Sequence, residues 1–216
     1  MVDRAMTLID ISPPVNARTP IFPGDTIFSA ERSWQISDDC PVNVSKIVMS
    51  THTGAHADAP LHYNKDGKSI DQLDLGPYIG PCAVVHIVNG KAFVTAENIA
   101  SALDAISVSA PERVIIRTYE TFPDSWDDNF TAVAGDAIRW LAANGCRLIG
   151  VDTPSLDPAA SKTMEAHNAV YCADMRILEG LCLDHAAPGV YELIAPPLKF
   201  AGLDAAPVRA ILRTLP

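Results

Sequence analysis

Three of the six histidines fall within eleven residues, in the run His52-Thr53-Gly54-Ala55-His56-Ala57-Asp58-Ala59-Pro60-Leu61-His62. Imidazole is the commonest protein ligand for transition metals near neutral pH, and carboxylates complete many zinc, iron and manganese sites. If 52–58 is extended, side chains at even positions share a face, so His52, His56 and Asp58 project together. A helix would also align His52 with His56, as in the metalloprotease His-Glu-x-x-His motif. However, the Glu is absent, Gly54 intervenes and Pro60 follows, which favours a strand end or loop. Gly54, Ala55, Ala57 and Ala59 are small enough to leave room for an ion and a substrate. Such a density of ligand types points to a metal or catalytic site. The bland reading is a chance cluster of solvated polar residues, but strand and proline flank the segment, not a polar tail.

Other motifs fail. Gly67-Lys68-Ser69 ends like a phosphate-binding loop, but the required first glycine would fall at 62, which is His62. There is no Gly-x-Ser-x-Gly elbow and no Gly-x-Gly-x-x-Gly fingerprint, so an α/β serine hydrolase and a dinucleotide site are both disfavoured. The acidic tract 64–74 misses the calcium-loop spacing.

Elements must position those residues, and composition says that a packed core is available. The chain has 216 residues, 48% hydrophobic and 19% charged, with a formal charge of −10. A single domain of that size buries roughly 70–75% of its unfolded surface without needing a disulfide or structural metal. The acidic balance argues against nucleic acid and anionic membranes as partners, because both call for a basic face. Five cysteines, an odd count with no Cys-x-x-Cys pair, read as small buried hydrophobes in a reducing compartment. Met1-Val2-Asp3-Arg4 shows no signal-peptide pattern and no apolar run is long enough to cross a bilayer, so a cytoplasmic protein is expected.

Pro and Gly are spread evenly, without linker or repeat, which suggests one domain over 1–216. Strands are expected at Thr7–Ile11, Ile27–Ile36, Val42–Ser50 and Cys82–Val88, the last buried on both faces. Thr95 can cap a helix through Leu103, and Arg113–Thr118 reads as a strand. A helix at Ala134–Ala143 stops at Asn144-Gly145, and Arg147–Val151 is a strand. A helix at Thr163–Ala173 precedes strand candidates at Arg176–Leu178, Leu181–Leu183, Tyr191–Ala195 and Val208–Leu212. The expected fold is therefore α/β, a mixed sheet covered by helices. His86, in an apolar strand, reads as a satisfied core histidine. On residue type alone, His167 would be a partly exposed helix residue and Glu179, beside Gly180, a turn residue.

The run from His52 to His62 resembles the His-x-Gly-Thr-His-x-Asp-x-Pro-x-His signature of the metal-dependent cyclase-like hydrolases. Further blocks resemble the bacterial kynurenine formamidases within that family: Ile9-Asp-Ile-Ser-Pro-Pro, Phe22-Pro-Gly-Asp-Thr, Gly150-Val-Asp-Thr-Pro-Ser-Leu-Asp-Pro, Ala166-His167, Ile177-Leu-Glu179-Gly, Leu183-Asp-His185 and Tyr191-Glu-Leu-Ile-Ala-Pro-Pro-Leu. The resemblance implies a swivelling β/β/α domain, a homodimer, and hydrolysis of N-formyl-L-kynurenine at two zinc ions per subunit, with manganese an alternative metal. It implies that His52, His56 and Asp58 hold one ion, with Asp58 bridging to a second. His167 then serves the second ion alone, and Glu179 contacts both. His62 matches the proton donor and acceptor, and Phe22 the aromatic residue against the substrate, where relatives often carry Trp. Ala55 stands where the signature has Thr, removing a hydrogen bond behind the site. His185 and Asp152 recur in relatives without an assigned role. A sister reaction, opening a cyclic amide such as isatin, would use the same metal core. A metal-binding protein without activity is the remaining alternative.

Overall fold

The computed structural model describes residues 6–88 and 90–215; the Met1-Val2-Asp3-Arg4 stretch lies outside them. In chain order the strands begin with Leu8–Asp10 (β1), Ser29–Trp34 (β2), Val44–Val48 (β3), His56–Asp58 (β4), Ile79–His86 (β5) and Phe93–Val94 (β6). Helix Ala96–Ala105 (α1) leads to Arg113–Arg117 (β7) and Ala132–Val133 (β8), and helix Gly135–Ala143 (α2) to Leu148–Val151 (β9). Helix Glu165–Cys172 (α3) precedes Arg176–Glu179 (β10), Gly189–Ile194 (β11), Ala205–Pro207 (β12) and Ile211–Thr214 (β13).

Nine strands form one mixed sheet in the order β1-β13-β11-β5-β7-β9-β10-β4-β12. Its centre, β5-β7-β9-β10, is parallel, and both flanks are antiparallel. Strands alternate their side chains between faces, and here each face feeds its own core. Cys82 and Val84 enter one core, and Ala83 and Val85 the other, so β5 is buried on both sides as its unbroken apolar run predicts. Ala83, Val114, Ile149 and Ile177 stand in register and pack under Ile99 of α1, Ile138 and Leu141 of α2, and Val170 of α3. Each such aliphatic side chain contributes roughly 1.5–3 kcal/mol on burial.

Among the described residues no α-helix contributes to the core on the opposite face. There the sheet curls over itself, so Ala57 and Ala206 from one end meet Leu193 and Leu212 from the other above Val84, Ile115 and Leu178. Connectivity requires the curl. β12 ends the strand order and β13 is second from its other end, yet they are joined by only Val208, Arg209 and Ala210. Four Cα steps reach roughly 14 Å, whereas seven flat strand spacings would demand roughly 34 Å. Gly150, on this inner face between Ile115 and Leu178, makes room for the closure: a Cβ there would sit 2.6 Å from Ile115 Cδ1 and 3.0 Å from Leu181 Cδ1.

Helix signals are met locally. Thr95 Oγ1 accepts the Asn98 N–H while Asn98 Oδ1 accepts the Thr95 N–H, closing a reciprocal cap on α1. α2 ends before Asn144, with Gly145 at φ +83°.

Two expected strands are corrected. Leu181–Leu183 is not a strand: its apolar side chains plug the inner core, while Leu181 N–H bonds the Val151 carbonyl and Cys182 N–H that of Ile11. Val208–Leu212 straddles the corner between β12 and β13, and is apolar because the corner is itself buried. The cysteines are all free, but only Cys82 and Cys146 are buried, and Cys172 is exposed. No helix among the described residues is long and apolar enough to cross a membrane.

The β2–β3 ribbon stands apart. Every residue in both strands is exposed, including Trp34 and Ile47.

Candidate metal centre

The site gathers at the C-terminal ends of the parallel strands, where β10 meets β4. Antiparallel pairing places Glu179, the last residue of β10, directly opposite His56, with Ile177 opposite Asp58. The expected shared face therefore holds for His56 and Asp58. It does not extend to His52, because 51–55 is a turn with Gly54 at φ +69°. The turn itself carries His52 back over the strand, to a ring-centroid distance of 5.0 Å from His56. A second glycine makes this possible: Gly180 takes φ +65°, and a Cβ there would lie 2.4 Å from the Gly54 carbonyl oxygen. The two backbones touch, seating the histidine turn against the end of β10.

His167 arrives from α3. It is buried rather than partly exposed, and Glu179 is equally buried rather than a surface turn residue. Both were unremarkable in sequence because burial by a helix–sheet contact is a tertiary event. Asp157 fixes His167 in three ways: its carboxylate accepts the Ala166 and His167 backbone N–H groups at 3.0 Å each, and His167 Nδ1–H at 2.7 Å. It thus caps α3, whose own N-cap residue, Met164, adopts φ +49° and supplies no side-chain cap.

Each of these histidines has one nitrogen committed outward and one turned inward. His167 Nδ1 donates to Asp157, His56 Nδ1 to the Gly54 carbonyl at 2.9 Å, and His52 Nε2 to Asp204 Oδ2 at 2.9 Å. Such outer acceptors fix the tautomer and aim the free lone pair. The inward atoms converge on two carboxylates. Asp58 Oδ1 lies 3.2 Å from His52 Nδ1 and 3.4 Å from His56 Nε2, while Asp58 Oδ2 lies 3.5 Å from His167 Nε2. Glu179 Oε2 lies 3.4 Å from His56 Nε2, and Glu179 Oε1 lies 3.5 Å from His167 Nε2. Leu156 N–H holds Glu179 Oε1 in place at 2.9 Å.

A cation fits this donor set. His56 Nε2, both Asp58 oxygens and His167 Nε2 are buried without a hydrogen-bond partner, a costly state for polar atoms unless an ion satisfies them. Donor atoms close enough to share an ion occur in His52–His56–Asp58, in Asp58–His62–His167 and in His52–His62–Asp204. The first is the expected triad. The second shares Asp58 and His167 with the expected second position, and Glu179 lies beside His167 and His56.

Without an ion the charges balance locally. Burial would depress the His56 imidazole, but the Asp58 and Glu179 carboxylates outweigh it and raise it to about 10. His167 is raised well above its ordinary value: burial opposes this, and Asp157, Asp58 and Glu179 prevail. Asp58 resists burial in the same way and is held well below the ordinary carboxylate range by its three histidines.

His62 sits at the edge of this group, a third of its side chain exposed, with Nδ1 3.5 Å from Asp204 Oδ2. A cleft of about 380 Å³ opens above, lined by His52, His62, Glu179, Phe22, Trp126 and Met164 among others. Phe22 meets Trp126 edge-on at 5.4 Å. The sequence reading missed Asp157, Asp204 and Trp126, since an outer hydrogen-bond acceptor carries no spacing signal of its own. Of the remaining residues, His86 Nε2 donates to the Ala186 carbonyl, 2.8 Å away, as a satisfied histidine, and His185 is exposed. Asp152 organises the turn after β7, accepting the Thr118 and Tyr119 N–H groups; burial pushes its carboxyl up to about 6 despite those bonds.

The sequence family described as "Putative cyclase" matches residues 9–158. Among solved structures, one described as a potential metal-dependent hydrolase with cyclase activity is 30% identical, covering 98% of this chain and 100% of its own, at a TM-score of 0.83. A predicted metal-dependent hydrolase from Bacillus stearothermophilus is also 30% identical, with the same coverage, at 0.81. An isatin hydrolase bound to the product analogue thioisatinate is 23% identical over 98% of this chain and 93% of its own, at 0.84. The curled mixed sheet with few helices is common to them, in keeping with the α/β architecture read from the sequence.

Proposed function

This chain belongs to the cyclase family, and on that premise we propose that it is a zinc-dependent arylformamidase, converting N-formyl-L-kynurenine and water to L-kynurenine and formate. The observation that carries the reading is the convergence of His52, His56, Asp58, His167 and Glu179, four of their buried atoms unpartnered, beneath a cleft walled by aromatic rings. The formamidase branch is favoured by the sequence blocks around Phe22, Gly150 and Tyr191.

His52, His56 and Asp58 would hold one divalent ion, and Asp58, His167 and Glu179 a second. Zinc suits these donors, as does manganese. Ions bound there lower the pKa of a water from ~15.7 toward ~7 and polarise the formyl oxygen. The chain's own residues do the rest. Phe22 and Trp126 stack against the aryl ring and hold the formamide over the centre. His62, partly exposed at the cleft edge and outside the buried ligand group, takes the proton released as water adds to the formyl carbon. It returns that proton to the arylamine nitrogen as the C–N bond breaks. Asp204 accepts from His52 and faces His62, keeping both rings oriented.

The test is ultraviolet detection of kynurenine from N-formyl-L-kynurenine by zinc-loaded protein; absence of turnover there, with turnover of isatin, would transfer the assignment to cyclic-amide opening. Bound metal with no turnover of either would leave a metal-binding protein without activity.

The enzyme is further proposed to work as a homodimer in the cytoplasm. An isolated two-stranded ribbon is marginally stable in water, yet one face of β2–β3 exposes Trp34, its cross-strand partner Val44, and Val48. A second copy covering this ribbon accounts for its apolar face. Light scattering on Trp34→Glu should show monomers where the parent shows dimers.

A further inference from the structure

Two opposite charges line the same cleft as the rings. Asp25 comes from the Phe22 turn, where Gly24 takes φ +91° and the Asp25 N–H bonds the Phe22 carbonyl at 2.9 Å. One tight turn therefore presents a ring and, three residues on, a carboxylate to the cleft. Lys162 lines it from the loop before α3, five residues ahead of His167, and is the only Lys or Arg among the lining residues. Both charges are exposed and neither enters an ion pair among the described residues. Asp25 spends one oxygen on the neighbouring Thr26 N–H. No internal partner explains either charge.

A substrate with its amide over the metal centre and its ring against Phe22 and Trp126 must direct its remaining substituent along the cleft. We infer that Lys162 and Asp25 recognise a zwitterionic α-amino acid head on that substituent, Lys162 pairing with the carboxylate and Asp25 with the ammonium. The inference rests on the arylformamide reading and deepens it. An uncharged cyclic amide would gain nothing from either residue, whereas an amino acid head uses both.

The experiment compares kcat/KM for N-formyl-L-kynurenine and for 2′-formamidoacetophenone, which carries the same arylformamide without the head, using zinc-loaded full-length protein. The ratio of the two within each variant cancels any general loss of folding or metal. The parent should favour the amino acid substrate by at least tenfold. Lys162→Met and Asp25→Asn should each cut that ratio roughly five- to tenfold, as expected for exposed charge-assisted contacts, chiefly through KM. Lys162→Arg should retain most of it. A parent that prefers the headless amide, or ratios unmoved in both variants, overturns the inference while leaving the arylformamidase reading intact. If zinc-loaded parent hydrolyses neither compound, the arylformamide reading itself fails and the inference falls with it.

Discussion

Glu179 and His56 face each other across the β10–β4 ladder, with Oε2 and Nε2 3.4 Å apart. Neither reaches water, so the pair depends on what else it holds. His56→Ala should lose bound metal and turnover together. Glu179→Gln keeps the shape and the Leu156 hydrogen bond but removes the charge, and should weaken binding of one ion more than the other. Metal analysis of dialysed variants, counted per subunit, checks both.

Asp157 is predicted to act on metal and fold at once. Asp157→Asn should reduce metal affinity or activity by roughly 10- to 100-fold, as outer-shell changes typically do. Asp157→Ala, which also removes the cap of α3, should add about 1 kcal/mol of destabilisation, lowering Tm by roughly 2–4 °C for a chain of this size. Isothermal titration and thermal melts of metal-free protein separate the two effects.

Metal loading should be linked to pH with a defined sign. In the metal-free protein His56 holds its proton up to about 10, so an ion must displace it, and apparent affinity rises as pH increases. Metal-free stability runs the other way. With the folded value raised above 6.5, the His56 contribution is complete below about pH 6.5 and is lost as pH rises toward 10. Melts between pH 6 and 10 should show a steeper fall in the parent than in His56→Gln, where His167 still contributes, and zinc addition in weak buffer should release protons.

Gly180 and Gly145 both sit at positive φ, +65° and +83°, but only Gly180 meets a neighbour. Gly145→Ala should cost about 1–2 kcal/mol and leave metal content intact. Gly180→Ala adds a contact of 2.4 Å with the Gly54 carbonyl, so it should lower Tm further and displace the His52 turn, with loss of metal. Equal metal content in the two variants would show that the glycine contact does not seat the turn.

Much of this was legible in the residues, and the limits are physical. Local signals were readable wherever the cause was local: Thr95 with Asn98 at a cap, Asn144-Gly145 at a stop, the doubly buried run of β5. The density of His52, His56, Asp58 and His62 announced a site without giving its geometry, because Gly54 turns the chain where alternation would have kept it straight. His167 and Glu179 needed family resemblance, since what makes them special is packing of α3 on β10. Leu181–Leu183 and Val208–Leu212 misled because apolar runs report burial, and here burial belonged to a plug and a corner instead of a strand.

The central claim is that His62 moves the proton for chemistry at the buried centre without being needed to hold it. The most direct measurement is metal content and N-formyl-L-kynurenine turnover on one zinc-loaded preparation each of the parent and His62→Gln. The account predicts equal metal in both, with kcat lower by roughly 10²- to 10⁴-fold in the variant. Parent-like turnover in His62→Gln, or loss of metal alongside activity, would contradict it.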